Sequence, residues 1–181
     1  MRLFIGVNIN ERSKKFIERK MNILKKDYNN NFKWVKKDNW HLTLKFIGEA
    51  TAAEKENLIK SLKNIDFDHQ KAYINFNRIK AFPNLKKAKV LYLALAQGRE
   101  VLKKLHQDLE EELSNYNFES DKRDFIPHLT LARSKDNGLE IKDKFKAKNF
   151  VNIYARIDSI SLYKSELKAG GPEYIELFSI K

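Results

Sequence analysis

Two stretches of this chain decide how it is read: Trp40-His41-Leu42-Thr43-Leu44-Lys45-Phe46-Ile47-Gly48 and Phe125-Ile126-Pro127-His128-Leu129-Thr130-Leu131-Ala132-Arg133. Both contain the tetrapeptide His-Leu-Thr-Leu. Two of the three threonines and two of the four histidines fall in these copies, which makes coincidence a poor explanation. Side chains alternate along a strand, so each imidazole shares a face with the hydroxyl two residues on. The leucines between them anchor the opposite face in a core. Histidine is the side chain whose ordinary pKa lets it exchange a proton near neutral pH. Two such faces turned toward each other would make a symmetric acid–base site.

Working outward, the elements around the two copies follow the same order. Arg2-Leu3-Phe4-Ile5-Gly6-Val7 reads as an opening strand, and Asn10 is placed to cap a helix over about 11–26 with Phe16, Ile17, Met21 and Leu24 inward. The first motif lies on a strand over Trp40–Ile47, ended by Gly48. Thr51-Ala52-Ala53-Glu54 is a capping box opening a helix with Leu58, Ile59 and Leu62 inward. A long strand follows over 71–82.

The second half opens with a strand over 90–95 and a helix over about 99–113, whose stripe is Val101, Leu102, Leu105, Leu109 and Leu113. Pro127 and the second motif follow. Then come a short helix near Leu139–Phe145, a strand within 150–162, the Gly170-Gly171-Pro172 break and a final strand over 173–180. This order predicts an α+β, bilobal, duplicated fold. Two lobes related by a pseudo-twofold axis, with antiparallel or mixed sheets flanked by helices, would bring His41 and His128 to a central cleft. Residues 1–181 read as a single bilobal domain with halves of about 1–85 and 86–181. No Gly-x-Gly-x-x-Gly loop follows a strand, which argues against a dinucleotide-binding sheet.

Composition narrows the chemistry. The chain has 181 residues, is 42% hydrophobic and 12% aromatic, and contains no cysteine, so it is expected to be globular with neither disulfides nor thiolate chemistry. No run approaches the roughly 18 apolar residues of a membrane span, and the N-terminus lacks a signal peptide's apolar core. A cytoplasmic protein without membrane contact is expected. The net charge of +12 arises from 36 basic against 24 acidic residues. Local clusters lie at Lys36-Lys37, at Lys86, Lys87 and Lys89, and at Lys142, Lys144, Lys146 and Lys148. Such a surface attracts polyanions, nucleic acid among them, and also serves solubility.

Competing chemistries fit less well. Zinc sites take three or four protein ligands, and the two motif histidines come without a carboxylate at ligand spacing, so no metal and no cofactor is expected. No Gly-x-Ser-x-Gly elbow occurs. In-line attack on phosphorus, by contrast, needs a base on the entering oxygen and an acid on the leaving oxygen, with donors for the non-bridging oxygens. Two imidazoles and two hydroxyls meet that demand. A strained cyclic phosphodiester would need no further help. His69 reads as solvated in a polar turn, and His106 as a half-buried packing residue.

The pair of motifs resembles the 2H phosphoesterase superfamily, and their extended contexts are similar to its RNA 2′,3′-cyclic phosphodiesterase branch, formerly called 2′-5′ RNA ligase. The resemblance runs from Arg2-Leu3-Phe4-Ile5 to the last strand. It implies hydrolysis of an RNA 2′,3′-cyclic phosphate end to a 2′-phosphomonoester, with His41 as proton donor to the leaving 3′-oxygen and His128 as proton acceptor from water. Thr43 and Thr130 would hold the phosphate. Arg133 matches an arginine common after the second motif and would neutralise phosphate, yet strict alternation puts it on the Leu129 and Leu131 face, where a salt bridge at the cleft edge is the other reading. Lys45 falls on the His41 face or reaches solvent. Phe4 and Tyr163 stack on a base or belong to the core, and the Gly170-Gly171-Pro172 loop borders the cleft or is an ordinary turn. The partner is RNA with a cyclic phosphate end or a related nucleotide, and a monomer is expected. Reverse 2′-5′ ligation in the same site, and a nucleotide-binding module with a vestigial cleft, are the alternative functions.

Overall fold

Apolar residues alternating with polar ones in short runs dictate strands, and a computed structural model describing residues 1–68, 72–141, 150–169 and 171–181 shows how they assemble. In chain order the elements are β1 (Arg2–Ile9), α1 (Glu11–Tyr28), β2 (Phe32–Trp34), β3 (Leu42–Glu49), α2 (Ala52–Asn64), β4 (Tyr73–Phe82), β5 (Val90–Gln97), α3 (Arg99–Ser114), β6 (His128–Ser134), β7 (Phe150–Lys168) and β8 (Gly171–Ile180). The fold is α+β and every described strand pairing is antiparallel.

The strand order β1-β3-β6-β5-β4-β7-β8, with a further β1–β7 pairing and β2 beside β6, builds two lobes. The long β7 pairs through Phe150–Arg156 with β4 and through Ile157–Lys164 with β1, so it is shared between them. The two motif strands meet at a single register pair, Leu42 opposite Leu129. Each half of the chain therefore lends a strand to the other lobe: β4 lies against β5, and β7 against β1. The leucines of both motifs join Ile5, Val7 and Leu93 in one continuous buried cluster.

Local chemistry explains most boundaries. The capping box forms as read: Glu54 N–H donates to Thr51 Oγ1 at 3.2 Å and Thr51 N–H to Glu54 Oε2 at 2.7 Å. Asn10 occupies the N-cap of α1 but makes no side-chain cap, and its Oδ1 is buried without a partner. Its main-chain carbonyl receives the first helical N–H groups instead. On α1 the sheet-facing row is Ser13, Ile17, Met21 and Leu24, which leaves Phe16 outside at 46% exposure. Ser13 is buried because its hydroxyl donates to the Tyr154 carbonyl at 2.8 Å. Val101 likewise falls outside the α3 stripe, which is Leu102, Leu105, Leu109 and Leu113.

Three further differences concern extended chain. β2 was too short to signal itself, and β7 runs past residue 162 to Lys168 because β8 pairs with it throughout that extension. Leu139–Ile141 are not helical. Leu139 exchanges backbone hydrogen bonds with Ala88, and Ile141 N–H donates to Leu85. The rest of that expected helix, up to Phe145, lies outside the described residues, as do the lysine cluster at 142, 144, 146 and 148 and Lys71, His69 and Gly170. No helix among the described residues is long and apolar enough to cross a membrane.

Candidate active site

Each motif strand carries a bulge at the same place. On β3, Thr43 lies opposite Gly6 and Lys45 opposite Ile5, so Leu44 has no register partner on β1. On β6, Thr130 lies opposite Tyr92 and Ala132 opposite Leu91, so Leu131 has none on β5. An inserted residue resets which face later side chains occupy. The burial sequence is consequently identical in both copies: half-buried His and Thr, buried leucines, then Lys45 or Ala132 buried and Phe46 or Arg133 exposed.

This corrects two expectations based on strict alternation. Lys45 leaves the histidine face and turns inward, where its Nζ meets Glu110 Oε1 at 2.6 Å and donates to the Glu119 carbonyl at 2.8 Å. Arg133 moves to the face of His128 and Thr130, and its positive charge bears on both His41 and His128. Phe46, 62% exposed, takes the equivalent seat in the first copy.

The two imidazoles are held in the same way. His41 Nδ1–H donates to the Asn39 carbonyl at 2.8 Å, and His128 Nδ1–H donates to the Ile126 carbonyl at 2.8 Å. In both, the acceptor lies two residues upstream. A carbonyl can only accept, so this contact fixes the tautomer and leaves each Nε2 without a proton in the neutral ring. Thr43 Oγ1 lies 3.0 Å from His41 Nε2, and its hydroxyl donates there when the ring is neutral.

Their surroundings differ. His41 packs against Phe4, with ring centres 4.8 Å apart, and against the edge of Tyr174 at 5.2 Å. Gly6 allows this approach, because a Cβ there would sit 3.0 Å from His41 Cδ2. In the second copy Tyr92 occupies the corresponding register position, and its ring meets His128 at 5.3 Å while Phe82 meets it at 5.1 Å. Burial pushes the His41 pKa down to about 4, against the Asn39 hydrogen bond, with the charges of His128, Arg133 and Lys14 adding to the depression. Burial also lowers His128, again opposed by its backbone hydrogen bond and reinforced by Arg133.

The remaining residues singled out from sequence sort plainly. Thr130 is half-buried on the His128 face. Phe4 is buried and stacks on Tyr163 at 5.1 Å, so these two rings serve each other and wall in His41. Tyr163 also donates its hydroxyl to Asn8 Oδ1 at 2.7 Å. Pro172 borders the site, since its carbonyl accepts from Asn39 Nδ2 at 2.8 Å and ties the β7–β8 hairpin to the residue that holds His41. Gly6, Asn39, Phe46 and Tyr174 are site residues that the sequence reading missed. The signal for Asn39 was its place two residues before the histidine; Tyr174 gave none, because it arrives from a distant strand. Among the described residues no three His, Cys, Asp or Glu side chains converge as a metal site. A cavity of about 520 Å³ lined by Asp66, Phe67, Val101, Leu105 and Asp108 contains none of the motif residues.

Each lobe thus carries one His-x-Thr strand, and the two strands adjoin at Leu42 and Leu129. The LigT-like phosphoesterase family model matches residues 9–92 and again 93–174, one match for most of each half, and the chain belongs to this family. An RNA 2′,3′-cyclic phosphodiesterase of Methanocaldococcus jannaschii is 34% identical over 179 residues, covering 96% of each chain. One of Archaeoglobus fulgidus is 30% identical over 182 residues, covering 98% of each. Among solved structures, a Thermus thermophilus protein superposes with a TM-score of 0.77 at 23% identity, over 99% of this chain and 96% of that one. Escherichia coli LigT complexed with 3′-AMP does so with a TM-score of 0.73 at 20% identity, over 99% and 96%. These two show the shared fold.

Proposed function

We propose that this protein hydrolyses RNA 2′,3′-cyclic phosphodiester ends to 2′-phosphomonoesters by two-histidine acid–base catalysis. The observation that carries the reading is the matched pair of imidazoles, each fixed through Nδ1 by the carbonyl two residues upstream and so offering Nε2. The curated relatives' activity and the resemblance of the motifs supply the substrate class and the direction. His128 takes a proton from water as its oxygen bonds to phosphorus. His41 gives a proton to the 3′-oxygen as the P–O3′ bond breaks, so no charge is stranded on either oxygen. Thr43 and Thr130 donate to the non-bridging oxygens, and Arg133 balances their negative charge. Side chains thus supply acid, base and oxyanion donors without a metal.

A donor must be charged before it can give a proton, whereas burial keeps His41 neutral in the free protein. The phosphate anion reverses this, since a negative charge beside an imidazole favours its protonated form. Substrate binding and loading of the acid are therefore one event. Exposed Phe46, beside Phe4 on the His41 side, offers a ring for the nucleobase. With a 5′-hydroxyl RNA end in place of water, the same displacement makes a 2′–5′ linkage. The acting unit is taken as a cytoplasmic monomer, a single domain of residues 1–181 with halves near 1–85 and 86–181.

The test is incubation with an RNA ending in a 2′,3′-cyclic phosphate, with and without exhaustive chelation, followed by location of the terminal phosphate. A 2′-phosphate formed at the same rate in both is expected. A 3′-phosphate, or loss of rate on chelation, overturns the mechanism. Binding without turnover would favour the vestigial nucleotide-binding module.

A further inference from the structure

His106 is the one described histidine outside the two motifs, and its surroundings give it a task beyond filling space. It sits half-buried on α3, next to the stripe that packs on the sheet. Its Nδ1–H donates to the Leu44 carbonyl at 3.0 Å. Leu44 is a bulged residue of β3, without a register partner on β1. A polar group displaced from a ladder has to find another partner, and here an imidazole provides it. The same ring lies flat on Phe125, with ring centres 4.2 Å apart and planes inclined by 13°. The residue after Phe125 is Ile126, whose carbonyl holds His128 Nδ1. One imidazole thus contacts the bulge following His41 and Thr43 and the segment leading into His128.

This bridge matters because the direct joint between the motif strands is slight. β3 and β6 share one register pair, Leu42 and Leu129. We propose that His106 is a positioning residue of the two-histidine site, a strut from α3 that fixes the placement of the first-motif strand relative to the segment entering the second. The inference rests on the catalytic reading above. In-line displacement needs acid and base on opposite sides of one phosphorus, so a small relative shift of the lobes slows the step while leaving phosphate binding largely intact. The neighbouring Lys45–Glu110 pair anchors the same bulge to α3 at a second point.

A strut fails when either end is cut. His106→Phe keeps the stacked ring and loses the donor. His106→Asn keeps a donor near the Nδ1 position and loses the ring. His106→Ala loses both. With a nucleoside 2′,3′-cyclic phosphate, all three are expected to lose about 10-fold in kcat with KM within a few-fold of wild type, and adding Phe125→Leu to His106→Ala should cost little more. A packing role instead predicts loss graded by the volume removed, visible in melting temperature, with His106→Phe at wild-type kcat. That outcome overturns the proposal.

Wild-type turnover tests the catalytic reading separately from the variant-to-wild-type ratio. Where turnover is absent, NMR titration of the His128 ring in wild type and His106→Phe still reads the strut. A displaced His128 titration supports it, and superimposable titrations in folded protein overturn it.

Discussion

At the scale of single residues, the site works through what each side chain is prevented from doing. The backbone carbonyls of Asn39 and Ile126 stop the imidazoles from presenting Nδ1, and Gly6 gives His41 room to lie against β1. Gly6→Ala brings a methyl to 3.0 Å from His41 Cδ2 and 3.1 Å from the Leu42 carbonyl, so the ring must yield by a few tenths of an ångström. The expected result is a loss of about 10-fold in kcat with nearly unchanged melting, measured by steady-state kinetics and thermal unfolding. The threonines supply a second prediction. Thr43→Val and Thr130→Val keep the shape and remove the hydroxyl, which should cost about 2–4 kcal/mol of transition-state stabilisation each, whereas the serine variants should retain most activity. Single-turnover rates decide it, and a valine variant at full rate would reduce the motif to its histidines. That the histidine and threonine of each copy share one strand face was legible from the repeat itself. Gly6 and Tyr174 were not, because nothing local marks a glycine for an approach from β3 or a tyrosine for an approach from the far end of the chain.

At the scale of elements, two bulges decide which side chains reach the cleft. Alternation read correctly as far as Thr43 and Thr130 and then failed, since one unpaired residue exchanges the faces beyond it. That is why Lys45 is buried and Arg133 exposed on the side of His128 and Thr130. Helix periodicity was legible to within a residue or two: Leu58 and Leu62 on α2, and four of the five stripe residues on α3, are buried as the spacing demanded. Phe16 and Val101 strayed because the sheet selects a row narrower than the apolar content of the helices. The inward Lys45 has an energetic consequence. Its side chain is 4% exposed and that of Glu110 15%, so removing one partner strands a charge. Glu110→Ala should destabilise the protein by about 3–5 kcal/mol, while Lys45→Met with Glu110→Leu should recover most of the loss, as read by denaturant unfolding. Equal losses for the single and double variants would show that the pair's charges are not the determinant.

At the scale of the whole molecule, duplication makes a symmetric frame and the surroundings make it asymmetric. The repeated element order disclosed the two lobes. It could not disclose that β4 and β7 cross between them, because strand partners are set by long-range packing. The depressed imidazoles give the molecule a characteristic response to pH. In the proposed mechanism one histidine is charged and one neutral, and both pKa values lie below the ordinary 6.5, so the bell of kcat/KM should centre on the acid side of that value. Bound phosphate raises both, which should move the kcat bell to higher pH; coincident bells near or above pH 7 would contradict this. Stability follows the same sign. Between 6.5 and about 4 the unfolded chain binds a proton at residue 41 that the folded protein resists. Stability should therefore fall as pH drops through that window, by up to about 3 kcal/mol, and His41→Gln should remove this component.

In the proposed mechanism one histidine from each lobe works on one phosphorus. This is tested most directly by single-turnover rates of wild type, His41→Ala, His128→Ala and the double variant on an RNA ending in a 2′,3′-cyclic phosphate. Each single variant should lose about 10²–10⁴-fold, and the double variant far less than the product of the two, because acid and base act as a unit. Wild-type rates in either single variant, or strictly multiplicative losses in the double, would contradict it.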